Sequence, residues 1–294
     1  MSAKIYDIVT ERIIGALDKG VIPWRQPRHS RSAPTNAVSK NSYRGINRFL
    51  LPFEYDDQRY VSYKQAADLG GNVKRGERGH MVVFWKSLAV ERQTAEGEVS
   101  ERTIPLLRYY TVFNIAQCEG LRINTEAAPA PVATLPAADA VVSSMTNAPS
   151  IQHDQDRAYY VPASDEIHMP PQHRFENTTG YYSTLYHELT HSTGHPSRLN
   201  RPGVETVAPF GSENYGREEL VAEFGAAFLC CAVGIDSVHP DNHIAYIQSW
   251  RRAIKNDPKA LVVAASQAQK AADHILGVEI DPIGTSGDFL RFRW

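Results

Sequence analysis

Apolar residues recur at helical spacing from the first turns of the chain: Ile5, Ile8, Val9, Ile13, Ala16 and Leu17 share one face, and Gly20 closes the run. The spacing predicts an amphipathic helix. After a proline-marked loop, VIPWRQPRHSRSAPTN, the segment VSYKQAADLGG predicts a short helix closed by glycines. GHMVVFWKSL and LLRYYTVFN carry the short apolar runs of strands and are joined by the polar turn VERQTAEGEVSER. These elements make a small mixed α+β domain over residues 1–124. NTEAAPAPVATLPAADAV, rich in Ala and Pro and without a period, reads as a linker at 125–145. Beyond it, RAYYVPASDEIHMPP predicts two strands about a Pro, Ser and Asp turn. Four helices are then predicted near 177–193, 213–233, 240–256 and 258–276, so a mainly helical second domain occupies 146–294.

A chain of 294 residues has room for two such domains, each with its own core. With 42% hydrophobic and 22% charged residues it has the composition of a globular protein, and no run approaches the roughly 18 apolar residues of a membrane span. Charged side chains interrupt MSAKIYDIVTERII, which argues against a signal peptide and for a cytoplasmic protein without a membrane partner. Three cysteines, two of them adjacent, support neither a disulfide framework nor a cysteine zinc site.

The net charge of −2 conceals a division. Residues 1–124 hold 19 Lys and Arg against 13 Asp and Glu, a balance of +6, which leaves −8 for the remainder. A basic first half points to an anionic partner, most plausibly nucleic acid. WRQPRHSRSAPTNAVSKNSYRGINRFLL interleaves Trp24 and Tyr43 with Arg25, Arg44 and Arg48, and NVKRGERGHMVVFW sets Lys74, Arg75 and Arg78 around two glycines. Aromatic faces for stacking and guanidinium groups for phosphates suit a single strand, bound without strong sequence preference.

YYSTLYHELTHSTGH, residues 181–195, carries HExxH as His187, Glu188 and His191. Four-residue spacing places both imidazoles on one helix face, where they can chelate a zinc ion or another divalent metal such as Mn(II). Glu188 is then placed as general base toward a water acidified by the metal. Gly194 stops the helix. Ser197 occupies the position where an extended pattern would have a third histidine, and His195 falls two places early, outside the ligand set. The third ligand is therefore sought in EELVAEFGAAFLCC, where Glu219 and Glu223 lie four apart in an otherwise apolar helix. Buried carboxylates need a partner or a metal. Glu219 is assigned as ligand and Glu223 as hydrogen-bond partner of a ligating histidine, with the reverse assignment open and Glu218 pointing elsewhere. Tyr215 and His168 are candidates for stabilising an oxyanion.

HExxH followed by ELVAE resembles the gluzincin type of metallopeptidase. More extensively, YYVPASDEIHMP, YYSTLYHELTHSTGHPSRLNR, REELVAEFGAAFLC and AASQAQKAADHIL resemble the ArdC family of plasmid antirestriction proteins, as do YRGINRFLL, KRGERGHMVVFW and YYTVFNIAQCEGL in the first half. The resemblance implies a single-stranded-DNA-binding domain before a zincin-like one, and protection of incoming plasmid DNA from restriction enzymes during conjugation. Two other readings stay open: a stand-alone zinc peptidase whose basic half recognises an acidic protein substrate, and a DNA-binding protein whose metal is purely structural.

Overall fold

A computed structural model of the chain describes residues 2–25, 33–52, 54–93, 99–123, 135–202, 204, 213–235 and 243–278. The fold is α+β, a sheet-bearing first unit followed by a mainly helical one. In chain order the elements are α1 (Ser2–Leu17), β1 (Thr35–Asn36), α2 (Asn47–Leu50), β2 (Arg59–Ser62), α3 (Tyr63–Asp68), β3 (Asn72–Val73), β4 (His80–Gln93), β5 (Val99–Asn114) and β6 (Cys118–Glu119). The second unit contains α4 (Leu135–Ser144), β7 (Ser150–Gln152), β8 (Tyr159–Val161), β9 (Glu166–His168), α5 (Thr178–Ser192), α6 (Glu213–Ala232), α7 (His243–Asn256) and α8 (Ala260–Ile275).

Local chemistry accounts for several boundaries. The Ser62 hydroxyl accepts from the Gln65 amide while the Gln65 side chain reaches back to the Ser62 amide, so β2 turns directly into α3 through a capping box. Asn177 starts α5 by accepting from the Gly180 amide. Lys40, Asn147, Asp165 and Asn200 adopt positive φ at tight turns, Asp165 between β8 and β9. The segment VERQTAEGEVSER is not simply a turn. β4 and β5 pair in unbroken antiparallel register from His80↔Val112 to Gln93↔Val99, so most of that polar tract continues the hairpin, and 94–98 lie outside the described residues. Polar residues are common to turns and to antiparallel strands, so the polarity of the tract did not distinguish the two. Likewise the tract read as linker contains α4, whose Pro136 sits in the first turn, where no amide partner is lost. Residues 124–134 lie outside the described residues.

The first sheet has the order β1-β2-β5-β4, and a three-stranded sheet, β7-β9-β8, flanks the helices. One apolar core joins the units: Ile5, Val9, Ile13, Trp24, Phe49 and Leu50 belong to the same cluster as Leu189, Phe224, Phe228, Trp250 and Leu261. α6 is buried on nearly all sides between α5, α7 and α8, which is why its apolar residues show no single face. The alanines of α8 keep that helix close against α6, with Ala264, Ala265, Ala268, Ala271 and Ala272 all buried. Among the described residues no helix is long and apolar enough to cross a membrane.

Candidate metal centre

His187 and His191 lie one turn apart on α5, and their Nε2 atoms come within 3.1 Å of each other. Glu219 approaches from α6, with Oε2 3.5 Å from His187 Nε2 and Oε1 3.6 Å from His191 Nε2. A tetrahedral ion with bonds of roughly 2.0–2.1 Å separates its ligand atoms by roughly 3.3–3.4 Å. The three donor groups therefore fit a single ion, and among the described residues they form the set of His, Cys, Asp and Glu able to hold one.

Each imidazole has a further carboxylate behind it. His191 Nδ1 lies 3.3 Å from Glu218 Oε1. Arg201 grips that carboxylate with two hydrogen bonds, Nε to Oε2 at 3.0 Å and Nη2 to Oε1 at 2.5 Å. The same guanidinium donates to the Thr190 carbonyl at 3.0 Å and the Thr193 hydroxyl at 2.8 Å, satisfying the end of α5. On the other side Glu223 Oε1 lies 3.8 Å from His187 Nδ1, an ion-pair distance rather than a hydrogen bond. Arg25 holds Glu223 bidentately, at 3.1 and 2.7 Å. Glu218, expected to point elsewhere, thus serves His191. Adjacent helical positions are about 100° apart, and α6 crosses α5 so that Glu219 meets the Nε2 atoms while Glu218 meets the far nitrogen of His191.

The charges around the centre are arranged for a cation. Four buried or half-buried carboxylates, Glu188, Glu218, Glu219 and Glu223, surround two imidazoles; Arg25 pairs with Glu223 and Arg201 with Glu218. Burial disfavours a charged His187, yet the hydrogen-bonded Glu219, with Glu188 and Glu223 nearby, outweighs it and raises its pKa to about 9. Burial pushes Glu219 up, but His187 and His191, with a hydrogen bond from Tyr215, hold its pKa down at about 2. Burial raises the pKa of Glu188 against the pull of both histidines, and the Tyr160 backbone amide of β8 donates to its carboxylate. With neutral histidines, as ligands must be, Glu188 and Glu219 present two negative charges that no Lys or Arg among the described residues pairs with, and a divalent ion would balance them.

The neighbours of the motif have other duties. Gly194 is required by packing rather than by a left-handed turn: a Cβ there would sit 2.3 Å from Val204 Cγ2. His195 Nδ1 pairs with the Ser197 hydroxyl at 2.7 Å and stays outside the cluster. Tyr215 contacts Glu219, whereas His168, on β9, pairs with Asp154 at 2.9 Å. Arg201, Arg25 and the Tyr160 amide are site groups that spacing did not reveal. Arg201 comes from a loop with no periodic signal, and Arg25 lies 198 positions from Glu223.

The residues expected to face nucleic acid separate into two groups. Trp24 is 1% exposed, edge-on to Phe224 and Trp250, and Tyr43 is buried against Tyr60 and Phe84, so neither ring offers a stacking face. Arg25 is committed to Glu223, Arg44 pairs with Asp273, and Arg48 lies over the Phe228 ring with a bond to Cys231 Sγ at 3.8 Å. Trp24 and the three arginines thereby join the two units, while Tyr43 packs inside the first. Lys74, Arg75 and Arg78 are exposed on the loop before β4, with Lys74 Nζ donating to the Ala116 carbonyl at 2.9 Å.

Comparison with known proteins agrees with this architecture. Residues 3–113 match the model of the N-terminal domain of anti-restriction factor ArdC, and residues 136–267 match a zincin-like metallopeptidase family. The crystal structure of the antirestriction protein ArdC from the R388 plasmid superposes with a TM-score of 0.75 at 39% identity, covering 92% of this chain and 96% of that one. Its Mn(II)-bound form superposes with a TM-score of 0.74 at 38% identity, covering 93% and 97%. The uncharacterized protein y4eC of Sinorhizobium fredii is 33% identical over 92% of this chain and 90% of its own. A DNA primase TraC of Escherichia coli is 35% identical over 93% of this chain, which spans only 27% of that protein's length.

Proposed function

The chain belongs to the ArdC antirestriction family, and on that premise we propose that it protects incoming plasmid DNA from host restriction during conjugation. In this reading the first unit binds single-stranded DNA without strong sequence preference, and the second holds a zinc ion in a hydrolytic centre of metallopeptidase type. The observation that carries the second half is the convergence of His187, His191 and Glu219 at tetrahedral spacing beside a buried Glu188. A bound divalent ion supplies Lewis acidity and lowers the pKa of a coordinated water to about 7. Glu188 would accept the proton of the attacking water as its oxygen bonds to the substrate carbonyl carbon, and return it to the nitrogen as the C–N bond breaks. Its raised pKa brings it toward the working range of such a base. The Tyr160 amide holds the carboxylate in place, Glu218 orients the His191 ring, and Glu223 places a negative charge 3.8 Å from His187 Nδ1. The exposure of the basic residues Lys74, Arg75 and Arg78 on one loop supports the DNA half of the reading.

The test has two arms. Elemental analysis after loading with zinc or Mn(II) is expected to give one ion per chain in the wild type and in Glu188→Ala, and none in Glu219→Ala. A full complement in Glu219→Ala would move the third ligand elsewhere. Conjugal transfer into a restricting recipient is expected to rise when the protein is supplied, and equal transfer with and without it would remove the protective role.

A further inference from the structure

The first sheet presents an open face whose exposed side chains are aromatic. Side chains alternate along a strand, and residues directly opposite in antiparallel register share a face. The pairs Met81↔Thr111, Val83↔Tyr109 and Trp85↔Leu107, with Val61↔Phe113, therefore line one side of the sheet. α1 covers part of that side, burying Val83 and Leu107 in the main core, and α3 covers the other end, where Ala66 packs with Val61 and Phe113. Between the two helices the floor stays exposed at Gly79, Thr111 and Tyr109. Tyr63 is 66% exposed with its ring 6.4 Å from Phe113, Tyr109 is 54% exposed, and Trp85 is 50% exposed with its ring 6.3 Å from Tyr6. Among the described residues these are three of the four large aromatic side chains that are substantially exposed, the other being Tyr159.

Their order along the face is linear but unevenly spaced: Tyr109 and Trp85 are diagonal neighbours, whereas Tyr63 stands beside Phe113, two same-face steps from Tyr109. Same-face residues on one strand are spaced by roughly 6.7 Å, and diagonal neighbours across a pair by roughly 7–8 Å. Tyr63 at the Phe113 end, then Tyr109, then Trp85 form a line of rings rather than a cluster. Gly79 lies at the Tyr63 end: a Cβ on it would stand 2.2 Å from Thr111 Cγ2 and 3.0 Å from the Phe113 ring, so the backbone itself rests on the floor. The exposed Lys74, Arg75 and Arg78 stand immediately before it. A partner fitting this face offers several flat π surfaces along a negative backbone.

We propose that this face, with Tyr63, Tyr109 and Trp85 as stacking platforms and the Lys74–Arg78 loop as phosphate anchor, is where a single-stranded nucleic acid lies. The proposal rests on the reading of the first unit as a single-strand binder and says which surface does it. It replaces Trp24 and Tyr43, which the core encloses. Stacking on rings is sequence-tolerant because every base has a π face, while the loop contributes the salt-dependent part of the affinity.

The experiment measures fluorescence anisotropy of a labelled thymidine oligonucleotide with the full-length protein across a series of salt concentrations. Each of Tyr63→Ala, Tyr109→Ala and Trp85→Ala is expected to weaken binding roughly five- to a hundredfold with an unchanged salt slope. Tyr109→Phe is expected to keep the affinity, since it keeps the ring. Arg75→Ala with Arg78→Ala is expected to flatten the slope of log K against log salt by about 0.7 for each charge that meets a phosphate. Wild-type affinity in the triple aromatic variant, confirmed as folded by circular dichroism, would overturn the assignment while leaving single-strand binding intact. A change in that variant confined to sedimentation would give the face to self-association and overturn it equally. Absence of binding by the wild type at low salt would overturn the assignment together with the reading it rests on.

Discussion

Behind each imidazole of the candidate metal centre stands a carboxylate, and behind each carboxylate an arginine: Glu218 with Arg201 for His191, Glu223 with Arg25 for His187. Such partners fix the ring orientation and raise ligand basicity, and their loss costs 10- to 100-fold in metal affinity. Glu218→Gln is accordingly expected to weaken Mn(II) binding by about that factor in a chelator competition, with the fold kept. An unaltered affinity would show that the 3.3 Å contact to His191 Nδ1 does not orient the ring. Arg201→Ala is a different perturbation, because it strands a buried carboxylate and removes the donor to the Thr190 carbonyl. It is expected to lower stability by about 3–5 kcal/mol, read from denaturant midpoints. At this scale the sequence was legible where one helix determines the geometry, as for His187 and His191. It was misread where the outcome depends on the angle at which a second helix crosses: Glu218 and Glu219 are equally acidic neighbours, and only the crossing distinguishes their tasks.

That crossing is close because a glycine permits it. A Cβ on Gly225 would lie 2.4 Å from Thr190 Cγ2 and 2.5 Å from its Oγ1, so α6 rests against α5 within two turns of the carboxylates it delivers. Thr190 cannot turn away freely, since its hydroxyl donates to the Tyr186 carbonyl at 2.7 Å. Gly225→Ala is expected to cost about 1–3 kcal/mol in thermal unfolding and to weaken metal binding as well, by moving Glu219 outward. Partial recovery of both in Gly225→Ala with Thr190→Ala would locate the cause in this contact. The far end of α5 is tied to the small sheet by Arg198, which donates to the Ser192 carbonyl at 2.7 Å, to the Asn147 carbonyl at 2.8 Å and to Asp165. The bond from Arg198, against a smaller effect of burial, lowers the Asp165 pKa below the usual carboxylate value. A lowered folded-state pKa gives stability that is present above the unfolded value near 3.9 and lost as pH falls through the folded one. Asp165→Asn is therefore expected to flatten the acid limb of stability below about pH 4, measured by urea unfolding. The four later helices and the capped α3 were legible from period and caps. The length of the β4–β5 hairpin was not, because its distal half carries the polar residues that turns also carry.

The segregated charge of the chain, +6 against −8, invites the picture of two separate bodies, one for DNA and one for metal. Part of that charge is instead consumed inside the molecule. Arg25 meets Glu223, Arg44 meets Asp273, and Asp18 meets Arg251, each pair joining the first unit to the second. Around them the apolar core is continuous, with Trp24 packed against Phe49, Phe224 and Trp250 at ring distances of 6.2, 4.9 and 5.2 Å. Composition could not separate an arginine that awaits a phosphate from one that awaits a glutamate, nor a tryptophan that stacks on a base from one that fills a junction. The consequence is cooperative. Two units that share a core and its ion pairs should unfold together, so calorimetry is expected to show one transition with matching calorimetric and van't Hoff enthalpies. Trp24→Ala is expected to lower stability by about 3–5 kcal/mol and, if the junction is what couples the units, to split that transition into two. Metal binding measured in the same variant would also weaken, because Arg25 beside Trp24 is the residue that holds Glu223 behind His187. Two resolved transitions already in the wild-type protein would mean that the shared core does not bind the units into one cooperative body.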